Sequence, residues 1–199
     1  MKVFSKINRG VILTVIVLLG VAAYLIGLEI MQSSASKDIE ALCQKYVAAE
    51  LNYHMLPEGQ RVEKPSMTEA ELDSYIAQMR EELIPYYVDN EQTYRYLLES
   101  LEENLRSQAD GNAVTYTFTK EIVKTEITFD GDKASVRLTS LTTYEGISDD
   151  TPAFGSPAVI QNDSAKGETT DTISMQRVNG EWKLTYASLN RPYEQTSSY

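Results

Sequence analysis

The chain has one histidine, His54, one cysteine, Cys43, and thirteen tyrosines, and its chemistry must be sought among these and its carboxylates. A lone cysteine forms no intrachain disulfide. One histidine and one cysteine make neither a paired-histidine zinc set nor a cysteine–histidine nucleophile pair with its own orienting group, so no metal and no cofactor is expected. Cys43 falls on an apolar helical stripe and is expected to be buried. His54 follows a helix end beside a loop, the place of a surface or capping group, with no acid partner evident nearby. Asp73, Glu81, Glu82, Glu99, Glu102 and Glu103 lie off the apolar stripes and read as solvated, so no catalytic residue is assigned.

The aromatic residues divide by position. Tyr46, Tyr75, Tyr116, Tyr144 and Trp182 stand where inward-facing side chains are expected, as the lining of a ligand pocket. Filling the pocket is favoured over lining it, because each ring buries a large area and needs one polar partner. Tyr86, Tyr87 and Tyr96, with Tyr94 between them, are too dense for one core. Part of that cluster is expected in water, as a partner-contact surface.

Three amphipathic helices must position the first of these groups. Ser36 reads as the cap of a helix carrying Ile39, Leu42, Cys43, Tyr46, Val47 and Leu51 on one face and running to about Tyr53. Leu56 to Pro65 has two prolines and a glycine and reads as a loop. Thr68-Glu-Ala-Glu71 has capping-box spacing ahead of Leu72, Tyr75, Ile76, Met79 and Leu83, in a helix expected to end before Pro85. Asp89-Asn-Glu-Gln92 repeats that logic for a third helix, closed by Asp110-Gly111.

From Ala113 the period becomes two. Val114, Tyr116 and Phe118 alternate with threonines, and a second register at Ile127 and Phe129 predicts a long strand broken by a bulge near Glu121 to Lys124. Asp130-Gly-Asp132 turns the chain into a strand with Ala134, Val136 and Leu138 on one face. Ser148 to Glu168 reads as a long polar excursion, in which Asn162-Asp-Ser164 fits the glycosylation acceptor pattern only incidentally. Asn179-Gly180 joins a final hairpin holding Trp182.

Ahead of these elements, the uncharged run Val11 to Leu28 would cross most of a hydrocarbon core ~30 Å thick. Lys2, Lys6 and Arg9 precede it while Glu29, Asp38 and Glu40 follow, which holds the N-terminus in the cytoplasm. Ser33-Ser-Ala35 offers a cleavage site, but the run exceeds the ~7 to 15 apolar residues of a signal peptide. The expected organisation is a basic stub at 1–10, a transmembrane helix at 11–30, a linker at 31–35, an extracytoplasmic α+β domain at 36–190 and a flexible tail at 191–199. Of 18 basic and 29 acidic side chains, removing Lys2, Lys6, Arg9 and Glu29 leaves 15 and 28, a net charge of −13 on the outer part. Such a surface repels phosphate, so no nucleic acid is expected as a partner.

Three helices followed by long antiparallel strands, ending on Val178-Asn-Gly-Glu-Trp-Lys-Leu184, resemble the nuclear transport factor two-like, or cystatin-like, α+β roll. The resemblance covers roughly Ser36 to Leu189 and implies a curved antiparallel sheet wrapping the helices around a conical pocket. The family uses that pocket for catalysis, ligand binding or assembly, so the fold leaves the function open. A stub, one membrane helix and an outer roll are similar in layout to the assembly-core subunits of conjugation and type IV secretion machines. The function expected first is therefore a non-enzymatic interaction or assembly module of a bacterial cell envelope. Its partners would be the lipid bilayer, through the N-terminal helix, and an envelope protein or a second copy of the chain. The alternative is a small-ligand binder, or an isomerase-like or hydrolase-like pocket enzyme. A deep open cavity holding a buried carboxylate would favour that alternative.

Overall fold

Thr68 starts the second helix as its spacing predicts. Its Oγ1 accepts from the Glu71 backbone N–H at 3.3 Å, and the Glu71 carboxylate accepts from the Thr68 N–H at 2.8 Å. The helix, α2, runs Glu69–Leu83 and buries Leu72, Ile76, Met79 and Leu83, spaced to form one stripe. Helix α3, Glu91–Ala109, buries Leu98, Leu101 and Leu105, and Asn90 rather than Asp89 caps it, accepting from the Gln92 N–H at 3.2 Å. These elements belong to a computed structural model that describes the backbone of residues 9–150 and 159–192, with the side chains of 17–23, 27, 32–147 and 164–192.

Helix α1 is a single element, Arg9–Asn52, so neither the linker expected at 31–35 nor a fresh start at Ser36 is found. No glycine or proline between Met31 and Asn52 stops the helix. Ser36 instead donates to the Gln32 carbonyl one turn back at 2.9 Å, which satisfies its hydroxyl without a cap. Among the described residues no helix is long and apolar enough to cross a membrane. The span expected at Val11 to Leu28 lies within α1, but much of it falls on side chains outside the described residues. By its contacts the chain divides into Met1–Ile39 and Glu40–Tyr199.

The second unit is α+β. Strands β1 (Ala113–Asp130), β2 (Lys133–Asp150), β3 (Val159–Val178) and β4 (Glu181–Ser188) form an antiparallel sheet in chain order. Register shifts in β1 at Thr115/Thr117 and at Ile122/Lys124 insert Tyr116 and Val123 as extra residues. The second shift lies where the change of alternation predicts it. It moves the inward set from Phe118, Lys120 and Ile122 to Thr125, Ile127 and Phe129. Opposite the first shift, Gly146 pairs with Thr115, where a Cβ would lie 2.7 Å from the Val114 carbonyl oxygen. Only glycine lets the two backbones approach that closely.

The polar excursion expected at Ser148 to Glu168 is largely strand. Val159 to Glu168 pairs with Asp150 to Leu141, because a ladder needs only backbone donors and acceptors, whatever the side chains. Residues 151–158 and 193–199, and the side chains of Asn162 and Asp163, lie outside the described residues. At the last turn Asn179 and Gly180 both take positive φ, 52° and 90°, as a two-residue hairpin of this type requires.

Inward residues Val136, Leu138, Ile173, Met175 and Leu184 cover the helix-facing side of the sheet. Phe129 on β1 and Trp182 on β4 meet with ring centroids 6.0 Å apart and planes tilted by 55°, although they come from the two outermost strands. Three strand spacings would separate them by about 14 Å in a flat sheet. The sheet therefore curls over small Ala134, which lies in the same inward row. Beside β4, the Val88 N–H donates to the Leu184 carbonyl at 2.9 Å, so the segment after α2 covers that edge.

Candidate functional site

The apolar stripe of α1 passes through Cys43, Tyr46 and Val47, and its next position is Glu50. Its side chain is only 2 % exposed. Glu50 Oε1 lies 3.3 Å from His54 Nε2, one turn further on, while buried Oε2 has no partner. Leaving a buried acceptor unpaired costs on the order of 1–3 kcal/mol, and more when it is charged.

His54 is held from several sides. Its carbonyl accepts from Asn104 Nδ2 at 3.2 Å and Gln108 Nε2 at 2.8 Å, and its ring meets the Phe118 ring edge-on at 5.0 Å. Gln108, itself fully buried, uses its Oε1 to accept from the Thr115 N–H at 3.0 Å, tying helix α3 to the bulged start of β1. The imidazole, with 15 % of its side chain exposed, is thus not the surface or capping group that its position suggested.

Above Glu50, the hydroxyls of Tyr46 and Tyr87 share a hydrogen bond of 2.6 Å, and the rings meet edge to face at 5.8 Å. Burial holds both phenols above their ordinary pKa, and the nearby Glu50 charge acts in the same direction. Both are hydrogen-bonding neutral groups at neutral pH. Burial likewise pushes the Cys43 thiol up to about 12, leaving it un-ionised and inert.

A cleft of about 570 Å³ opens beside this group, between α3 and β4. Glu50, His54 and Tyr87 form its inner end. Thr93, Tyr96 and Leu97 of α3 face Thr185, Tyr186 and Ala187 of β4 across it. Tyr96 and Tyr186 are 71 % and 52 % exposed. A separate cleft of about 510 Å³ lies beside α2, lined by Tyr75, Met67 and Gln78.

A second charged group lies under the sheet. Lys120 Nζ donates to both Asp171 oxygens at 2.9 Å, to Thr169 Oγ1 at 3.0 Å and to the Asn190 carbonyl at 2.7 Å, with Thr142 Oγ1 at 3.4 Å. Asp171 also accepts from the Asn190 N–H at 2.7 Å, and neither side chain is more than 1 % exposed. Burial lowers the Lys120 pKa, and Asp171 and Glu50 oppose that shift.

Of the expected pocket-lining residues, none lines the Glu50 cleft. Tyr46 lies behind it, fully buried, and Tyr75 lines the α2 cleft with its hydroxyl donating to the Asn52 carbonyl at 3.1 Å. Tyr116 is half-buried in the first bulge of β1, Trp182 is half-buried against Phe129, and Tyr144 is buried against Phe118. Arg191, expected in a flexible tail, lies 4.7 Å from the Tyr144 ring centroid. The expected contact cluster divides. Tyr96 is exposed, Tyr86 is half-buried edge-on to Tyr46, and Tyr87, at 4 % exposure, belongs to the core. Asp73 and Glu102 pair with arginines on the helix surface, and Glu82 accepts from Tyr53. Among the described residues no three His, Cys, Asp or Glu side chains are grouped to hold a metal ion.

Glu50 is the residue that sequence reasoning missed, although it carried a signal: a carboxylate at the next buried position of an apolar stripe, one turn before the only histidine. No protein-family model and no curated protein matches the chain. Among solved structures it is similar to the intermembrane space region of the chloroplast protein ARC6, with 16 % identity, 62 % of this chain and 97 % of that chain covered, and a TM-score of 0.33. A likeness of that degree carries no functional argument.

Proposed function

We propose that the α+β unit is a small-ligand-binding module, built as a cystatin-like roll and tethered to the outer face of a bacterial membrane by the start of α1. The carrying observation is the buried Glu50 carboxylate, unpaired at one oxygen, at the inner end of a cleft of about 570 Å³. Pockets that bind small molecules pair an apolar wall with a few convergent polar groups, and Glu50, His54 and Tyr87 are such a set. Support for the tether comes from the uncharged run Val11 to Leu28, flanked by Lys2, Lys6 and Arg9, and from Val17, Leu18, Leu19 and Val21, each half or more exposed on α1. The roll is supported by the curl that brings Phe129 onto Trp182.

The imidazole and carboxylate are also the parts of a general acid–base pair, which leaves room for isomerase-like or hydrolase-like chemistry on a bound substrate. A second reading, an interaction or assembly module contacting an envelope protein or a second copy, is favoured by Tyr96 and Tyr186, whose exposed rings stand at the cleft mouth. The test is a metabolite screen on the full-length chain in detergent micelles, repeated with Ala187→Trp, which fills the cleft from β4. A hit lost in that variant supports the pocket. Partner capture that depends on Tyr96 and Tyr186, with no hit, supports the second reading.

A further inference from the structure

Resting on the pocket reading, we infer that the cleft selects a small molecule bearing a protonated primary amine beside an apolar or aromatic body, with the ammonium seated on Glu50 Oε2. Three observations carry the assignment. The first is the oxygen itself, buried, unpartnered and at the inner end of the cleft, while its twin is occupied by His54. One free oxygen suits a compact point charge. A guanidinium donates as a planar fork that pairs best with both oxygens of a carboxylate, so a single free oxygen suits it less well than an ammonium.

Second, the protein's own cations are committed elsewhere. Among the described residues no lysine or arginine pairs with Glu50. Lys120, whose charge is felt at Glu50, is held by Asp171, Thr169 and Asn190. Arg191 lies over the Tyr144 and Phe118 rings. An incoming ammonium therefore meets a carboxylate that no lysine or arginine contacts directly, with His54 on one oxygen and the Tyr46 hydroxyl nearby. Third, the approach favours cations. The unit from Glu40 onward carries 14 basic and 27 acidic side chains, a net −13 that draws cations towards it. Thr93, Ser100 and Thr185 line the cleft with hydroxyls able to accept the remaining ammonium hydrogens, and Leu97 and Ala187 face the body of the ligand.

The experiment uses full-length chain in micelles and three probes that share a phenylethyl body and differ in the head: phenethylamine, 2-phenylethanol and phenylacetate. Calorimetry at neutral pH should show phenethylamine binding at least tenfold more tightly than the alcohol and phenylacetate not binding. Glu50→Gln should weaken the amine at least tenfold with its circular dichroism unchanged. The comparison of probes on the natural chain needs no variant and stands even if Glu50→Gln fails to fold. Equal affinity for amine and alcohol, or amine affinity unchanged in Glu50→Gln, overturns the ammonium assignment while leaving the pocket standing. Absence of amine binding up to about 10 mM, the weak end of specific recognition, overturns it too. Amine binding that survives Ala187→Trp places the site elsewhere and overturns the pocket reading with it.

Discussion

Asp171 and Glu50 are both carboxylates buried in the same α+β unit, but their surroundings treat them differently. Asp171 meets a lysine with both oxygens, accepts a backbone N–H as well, and lies among threonines that share the same ammonium. Glu50 has a single long contact, to a histidine, and a free oxygen. A fully paired buried charge holds elements together. A half-paired one leaves interaction energy for something that arrives later.

The contrast is easiest to break at Lys120. Lys120→Met strands Asp171 without its cation and should cost about 3–5 kcal/mol in denaturant unfolding. Replacing both partners by Met and Leu should recover most of that loss. A small cost for the single change would mean that Asp171 is no better satisfied than Glu50. Tyr87→Phe comes next, because it leaves the Tyr46 hydroxyl buried without its partner, at about 1–3 kcal/mol.

The same pair sets an alkaline limit. Tyr46 and Tyr87 have folded pKa values raised above the ordinary 10.0, so their contribution is complete below pH 10 and is lost as pH climbs from there through the folded values. Absorbance at 295 nm should show these phenols ionising only as the chain unfolds, after the exposed tyrosines have titrated. Thr68→Ala, which removes one capping hydroxyl remote from both carboxylates, should cost about 1 kcal/mol and calibrate the scale. The smallest effect is expected at Glu50. Glu50→Gln relieves a buried charge and should shift the unfolding midpoint by less than about 1 kcal/mol, in either direction, while removing amine binding. A loss as large as that of Lys120→Met would make Glu50 structural and erase the contrast.

How much of this was legible in the sequence depends on how far apart the cooperating residues lie. The capping box at Thr68, the Asn179-Gly180 hairpin and the bulge between Ile122 and Lys124 are each written within a few residues, and each was readable. Glu50 and His54 are also local. What hides them is that Glu50 sits on the apolar stripe of α1, where a side chain reads as core rather than as a partner for the histidine one turn on. Lys120 and Asp171 are 51 positions apart on strands that are not neighbours, so only the complete register brings them together. Tyr86 and Tyr87 are adjacent in sequence, and the short 3₁₀ turn Ile84–Tyr86, which contains Pro85, decides which of them turns inward. Polar composition concealed β3, since backbone pairing leaves no hydrophobic signature.

The strictly sequential strand order has a consequence for timing during synthesis. Every ladder joins segments consecutive in the chain, so β1 and β2 are able to pair before β3 exists, and β3 before β4. One wall of the cleft, Thr185 to Leu189, lies on or just after β4, the last strand of the sheet. A nascent chain halted at the Asn179 turn would hold three paired strands and Glu50 in place and still have no closed cleft. Ligand capture therefore has to wait for β4, the last strand of the sheet to be made, and a bound ligand reports that the sheet is complete.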